Sequence, residues 1–352
     1  MTTVSSTLRA TAATPDQGLL DEWDELADRC GASPFARPGW ISAFVEAFGG
    51  ELRVASARRG GELVAVAPFL GTRRRRTPTN WHTPWFETVA LDDEARRAVW
   101  SVVLDAPVAV VDHVLDGSTD AAALEHVLSA RGGRFRVRDR QAPPYLELPG
   151  SWDDFVAAMS SNLRGDTRRR SRRLAERGEL RFEVVSDSDD LDGLLDEGLG
   201  VEGSGWKVRE GTAVVSDPGT ERFYRSVAAW AAPRGMLRLC FLRVEGRAIA
   251  FDFSVEADGR HYLLKTGYDE DWFKLSPGKV LRWEVLRRCT EDGLATYEFT
   301  GDAAGWKQAW TSDSRRTIRF EAFAPSPAGR LSWLAWRIRR VAGALLGRLR
   351  RG

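Results

Sequence analysis

Ala248-Ile-Ala-Phe-Asp-Phe-Ser-Val-Glu256, Asp258-Gly259 and His261-Tyr-Leu-Leu-Lys-Thr-Gly-Tyr268 form the stretch that decides the fold. Two alternating segments joined by Asp-Gly are a strong signal for a hairpin with a two-residue turn. Alternation puts Ile249, Phe251, Phe253 and Val255 on one face, and Ala250, Asp252 and Ser254 on the other. With Ala257 paired to Arg260, counting back along the hairpin sets Asp252 opposite Lys265. That pairing reads in two ways: a cross-strand ion pair, or a site in which small Ala250 and Ser254 leave room for a substrate whose amine Asp252 binds or deprotonates.

Working outward, Leu237–Glu245 reads as a preceding strand that turns at Gly246. Downstream, Leu275-Ser-Pro-Gly-Lys279 gives way to helical spacing through Val280, Leu281, Val285 and Cys289. Ser276 is placed to cap that helix, Pro277 suits its first turn and Gly293 ends it. Ala295–Phe299 is a further strand, followed by Gly301-Asp-Ala-Ala-Gly-Trp-Lys-Gln-Ala-Trp310. Strand, strand, glycine turn, helix, strand is an anion-binding order, because a helix start offers unpaired N–H groups and a positive dipole end to phosphate.

The chain has 352 residues, enough for two domains. A net charge of +1 argues against wholesale nucleic-acid binding. Cys30, Cys240 and Cys289 are far apart, which fits three thiols in a reducing compartment and neither a disulfide framework nor a metal site. The start has no secretion-signal pattern and no run is long enough for a membrane span, so the expected location is cytoplasmic. The four histidines are scattered, and no nucleophile elbow, Walker loop or dinucleotide fingerprint is present. Arginine serves nearly everywhere a cation is used; the only lysines are Lys207, Lys265, Lys274, Lys279 and Lys307.

The expected organisation is a disordered segment 1–15, an α/β unit 16–149, a second unit 150–324, and a linker with a basic amphipathic helix in 325–352. In the first unit, Arg73–Arg76 reads as a basic loop tip. In the second, 160–177 is a helix crowded with Arg164, Arg168, Arg169, Arg170, Arg172, Arg173 and Arg177. Leu331, Leu334, Ile338, Val341, Leu345 and Leu349 repeat at three and four beside arginines, with no acid. Such a helix either lies on an anionic membrane at its inner face or packs back on the body.

Four motifs in the span from Tyr145 to Trp310 carry a family resemblance: Arg172-Arg-Leu-Ala-Glu-Arg-Gly178, Gly205-Trp206-Lys207, Gly267-Tyr-Asp269 with Leu275-Ser-Pro-Gly278, and Phe299-Thr-Gly-Asp302 with Trp306-Lys307. Phe35-Ala-Arg-Pro-Gly-Trp40 and Leu63-Val-Ala-Val-Ala-Pro-Phe69 extend it to the first half. In order and spacing these resemble the CelD/BcsL-type acetyltransferase family of the GNAT superfamily, with Trp306 where the family usually has Tyr. The resemblance implies an α/β (α+β) tandem GNAT-like fold with mixed, largely antiparallel sheets flanked by helices. It also implies acyl transfer from acyl-CoA, acetyl-CoA being the simplest, to an amine or hydroxyl of a small-molecule, glycan or lipid-linked acceptor in cell-envelope or polysaccharide synthesis. The usual Gln/Arg-x-x-Gly-x-Gly/Ala loop is replaced by Leu275–Val280, where Pro277 has no N–H to donate. Donor binding is therefore assigned to Ser276, Gly278, Lys279 and Val280. Asp252, Tyr268, Asp302 and Lys307 are the catalytic candidates, Tyr268 as the acid for the leaving thiolate. Trp206, Lys207 and Lys265 are assigned to the acceptor. Two alternatives stand beside this reading: a Fem-type transferase using aminoacyl-tRNA, and a non-catalytic scaffold of a polysaccharide-synthesis complex.

Overall fold

The computed structural model describes residues 7–204, 211, 213–303 and 305–349, with backbone alone at 339 and from 341. Contacts divide the chain into two compact units. One takes the residues up to Ile41, Gly50–Gln141 and everything from Arg316; the other takes Ser42–Gly49 and Ala142–Arg315.

The strands, in chain order, are β1 (Leu8–Ala13), β2 (Leu52–Arg59), β3 (Glu62–Leu70), β4 (Arg74–Arg76), β5 (Val89–Ala90), β6 (Val108–Leu115) and β7 (Arg134–Asp139). They continue as β8 (Tyr145–Glu147), β9 (Leu180–Val185), β10 (Leu237–Val244), β11 (Arg247–Ala257), β12 (Arg260–Tyr268), β13 (Thr296–Glu298) and β14 (Thr317–Phe323). The first unit's sheet runs β1-β2-β3-β4-β6-β14-β7, with β5 on β3. The second runs β8-β13-β12-β11-β10-β9. Both mix parallel and antiparallel pairs and are flanked by helices, the fold class expected from the sequence.

Three expectations about organisation are corrected. Residues 8–13 are not disordered: β1 pairs with β2 from Leu8↔Arg59 to Ala13↔Val54. The surrounding segment is rich in Ser, Thr and Ala, but Leu8, Ala10 and Ala12 recur at every second position and rest on the first unit's core, which is all an edge strand needs. Arg74–Arg76 is likewise a strand, parallel to β6. The boundaries also move. β8 belongs to the second sheet, against β13, whereas β14 returns to the first sheet between β6 and β7. The second unit is thus nested inside the first unit's chain.

In the second unit the hairpin is as read at its turn: Ala257 pairs with Arg260, and Asp258 and Gly259 both take positive φ (49° and 69°). β11 is buried along nearly its whole length, because helices cover both faces of the sheet. One face packs on the helix Pro277–Glu291 (the site helix) through Val280, Leu281, Val285, Leu286 and Cys289. The other meets the helix Leu191–Glu202, and the helix Pro218–Ala231 reaches it through Tyr224. The ring of Phe253 lies 5.2 Å from Tyr224 of the latter helix. Gly293, with φ 74°, follows the site helix as expected.

Candidate functional site

β12 and β13 run parallel but pair only from Arg260↔Thr296 to Tyr262↔Glu298. Beyond that point no strand among the described residues pairs with the end of β12 on that side, and a cavity of about 430 Å³ opens there. Thr266, Gly267 and Tyr268 form one wall, Ser276, Gly278, Lys279 and Arg282 a second. Glu202 and Ser204 close one end, and Phe273, Trp306, Ala309 and Trp310 make the rest aromatic and apolar. Ser204 Oγ donates to Tyr268 O at 2.9 Å, tying the end of the Leu191–Glu202 helix to the end of β12. Gly267 is required at this junction, since a Cβ there would lie 2.4 Å from Glu202 Cα.

The predicted register fails one residue short of the predicted pair. Between Phe253 and Ser254 the pairing shifts, so Phe253 faces Lys265 and Asp252 faces Thr266; Leu264 is the extra residue on β12. Asp252 and Lys265 therefore lie on opposite faces of the sheet and do not share a site. The Lys265 ammonium sits 5.4 Å from the Tyr224 ring, away from the cavity lining. Asp252 turns instead to Arg282 of the site helix, with contacts of 2.6 Å (Nη1 to Oδ2) and 2.9 Å (Nη2 to Oδ1). Asp252 is 0% and Arg282 1% exposed. Arg282 also donates to the Tyr297 hydroxyl and, at 3.4 Å, to Thr266 Oγ1. Burial works to loosen the Arg282 proton, but the adjacent Asp252 charge outweighs it and the guanidinium stays charged. Its Nε has no hydrogen-bond partner among the described residues.

At the start of the site helix, Ser276 does not cap with its side chain. It adopts a left-handed conformation (φ 50°), and its carbonyl accepts the Lys279 N–H at 3.0 Å. That leaves the Gly278 and Val280 amides as the donors of the first turn for an anion. The Lys279 ammonium is held by Asp166 of the basic helix Ser161–Ala175, at 2.6 Å. The Lys279 hydrogen bond is the main reason the Asp166 carboxyl is lowered to about 2, with Arg170 helping. The basic helix thus reaches the site through its acid, which the arginine count concealed.

Lys307 is buried below the Trp306 ring, its ammonium donating to the carbonyls of Thr300 (2.5 Å) and Asp302 (2.9 Å). Burial brings its pKa down to about 8. Lys307 thus meets Asp302 through the backbone carbonyl, and the Asp302 side chain is outside the cavity lining. Trp206 and Lys207 lie outside the described residues. Of the candidates, then, Tyr268, Ser276, Gly278 and Lys279 come together at one cavity, and Asp252 stands behind it through Arg282. Sequence reasoning missed Arg282, Glu202, Asp166 and Phe273. Only Arg282 carried a signal: it is an arginine one turn into a helix whose neighbours are apolar.

Elsewhere in this unit Glu256, His261 and Cys289 gather closely enough to suggest metal ligation. Yet Arg238 and Arg288 already pair with Glu256, and His261 Nδ1 meets it at 2.8 Å. Burial works to raise this carboxyl, and His261 and Arg288 overcome it, taking it to about 2.

Residues 161–308 match the model of the acetyltransferase (GNAT) domain. The matched segment contains every residue of the cavity except Ala309 and Trp310. Among solved structures, FemX is similar over 91% of this chain and 99% of its own, with TM-score 0.60 and 12% identity. The C-terminal domain of a putative lysylphosphatidylglycerol synthetase from Agrobacterium fabrum is similar over 90% and 94%, with TM-score 0.56 and 13% identity. L-PGS from Bacillus licheniformis covers 86% and 96%, with TM-score 0.52 and 12% identity. At such identities the likeness is one of fold. No curated protein sequence matches the chain.

Proposed function

We propose that the protein transfers an acyl group from an acyl-CoA to an amine or hydroxyl acceptor, and that the chemistry takes place in the cavity at the end of β12. The observation that carries this reading is the meeting of the site-helix N-terminus with an apolar, aromatic-walled chamber of about 430 Å³. A thioester donor needs those two environments side by side: donors and a positive dipole end for its diphosphate, and a dry chamber for its pantetheine arm and acyl group. Gly278 and Val280 supply N–H groups to the diphosphate. Arg282, with an unpaired N–H on a residue lining the chamber, stabilises the developing oxyanion. Tyr268, also on the wall, protonates the leaving thiolate. Asp252 serves as a positioning residue for Arg282, not as the base first considered.

The test is calorimetric titration of acetyl-CoA and longer acyl-CoAs into wild type and Gly278→Asp, with thiol release followed over a panel of amine and alcohol acceptors. A Cβ at Gly278 makes only ordinary contact, 3.5 Å from the Tyr268 ring, so the variant folds while placing a negative charge at the diphosphate site. Loss of binding is expected. Unchanged acyl-CoA affinity in the folded variant overturns the placement. Failure of wild type to bind any acyl-CoA favours the aminoacyl-tRNA alternative, for which the exposed arginines of the basic helix offer a phosphate-backbone contact. We place the enzyme in the cytoplasm; the acceptor class that follows from the resemblance is a small-molecule, glycan or lipid-linked precursor of the cell envelope.

A further inference from the structure

The helix Pro327–Leu349 (the terminal helix) packs by one face and leaves the opposite one open. Trp333 and Trp336 stack on each other at 5.1 Å, and Phe323 of β14 meets Trp333 edge-on at 5.1 Å. Arg136 of β7 lies over the Trp336 ring at 4.2 Å, and Arg340 covers the same ring at 5.5 Å. The turn before the helix is tight: a Cβ on Gly329 would lie 2.2 Å from Ala324 O. This aromatic face therefore fixes the helix against its sheet. About half a turn away, Leu331, Leu334 and Ile338 are 67%, 53% and 60% exposed. Their spacing of three and four is continued in sequence by Val341, Leu345 and Leu349.

We propose that this open face is a membrane-surface anchor, lying in the headgroup region of a bilayer rich in anionic phospholipid. Packing does not bury the stripe, because a second set of apolar residues, the tryptophans, does the packing. Arg330 and Arg337 flank the stripe, both exposed, and Arg340 is exposed beyond them. From residue 322 onward the chain holds seven arginines and no acid. That charge chooses the occupant. A second copy of this chain would bring like charge against like, whereas anionic lipid satisfies both the arginines and the apolar edge. No helix of the described residues is long and apolar enough to cross a membrane, so the contact is superficial. The inference does not depend on acyl transfer.

The full chain is floated with vesicles of phosphatidylcholine, and with vesicles in which a third of the lipid is phosphatidylglycerol, at low and high salt. Binding to the anionic vesicles at low salt alone is expected. Arg330→Glu with Arg337→Glu lowers it by at least about 25-fold, at roughly fivefold per arginine near an anionic surface. Leu331→Ser, Leu334→Ser and Ile338→Ser together, all exposed and so harmless to folding, lower it by about a hundredfold or more, the loss expected when three apolar side chains, each more than half exposed, no longer insert. No flotation with anionic vesicles, equal flotation with neutral ones, or a triple-serine variant that binds like wild type overturns the proposal. So does a dimer of the wild type that the triple variant abolishes, since the face would then belong to a second copy.

Discussion

Asp252→Asn separates holding from catalysing. Asparagine nearly matches aspartate in shape, so the change removes charge and leaves packing in place. The structure makes that charge costly to lose: Asp252 and Arg282 are 0% and 1% exposed, and two short contacts bind them. Removing one partner of a buried pair strands the other, at about 3–5 kcal/mol. For a unit of this size 1 kcal/mol moves Tm by roughly 2–4 °C, so the midpoint should fall by about 6–20 °C. Urea melts at 25 °C and calorimetric scans measure it, with acyl-transfer rates taken per folded molecule well below the new midpoint. The double variant Asp252→Leu with Arg282→Met should recover most of the stability, since a well-packed apolar pair often equals a buried ion pair, yet it should remain inactive. A stability loss below about 1 kcal/mol, together with a hundredfold fall in turnover, would refute the reasoning and return Asp252 to the role of base.

Asp166→Asn should free Lys279 and Arg170 and tighten acetyl-CoA binding by about two- to fivefold, the worth of a partly exposed charge pair; calorimetry showing unchanged or weaker binding would detach Lys279 from the diphosphate. For Lys307, whose pKa falls from 10.5 to about 8 on folding, the native state gives up its proton first. Between pH 8 and 10.5 the unfolded chain therefore holds more protons, and native stability rises with pH. The stability of wild type relative to Lys307→Met should climb across that window, and a flat difference in urea melts would contradict the burial of the amine. Gly267→Ala drives a Cβ to 2.4 Å from Glu202 Cα and should cost about 1–3 kcal/mol by overpacking, read as a shift in urea midpoint at constant m-value.

What the sequence disclosed was local. The Asp258-Gly259 turn needs two residues at positive φ, and that demand is written in their side chains. The bulge six residues back is not, because Leu264 is an ordinary strand residue and the shift answers to packing on both faces of the sheet. One unread residue was enough to move Lys265 to the far face. The site helix was legible from its apolar spacing, but Ser276 departs from its usual capping geometry to deliver its carbonyl to Lys279. The Asp252–Arg282 and Asp166–Lys279 pairs span 30 and 113 residues, and no periodicity reports on partners so far apart. The terminal helix showed its leucine stripe in sequence, but not that two tryptophans would do its packing.

The late return of β14 sets a timetable for synthesis. β7 has no sheet neighbour but β14 among the described strands, and β14 also covers the flank of β6 away from β4. A ribosome adding 5–20 residues per second needs about 10–40 s to travel from residue 141 to residue 323. Through that interval β6 shows a bare, apolar edge to other nascent chains, the kind of template on which strands from two polypeptides join. The nested unit has all its strands by Glu298 and can fold while its host waits. The half of the protein that leaves the ribosome first is the last to close.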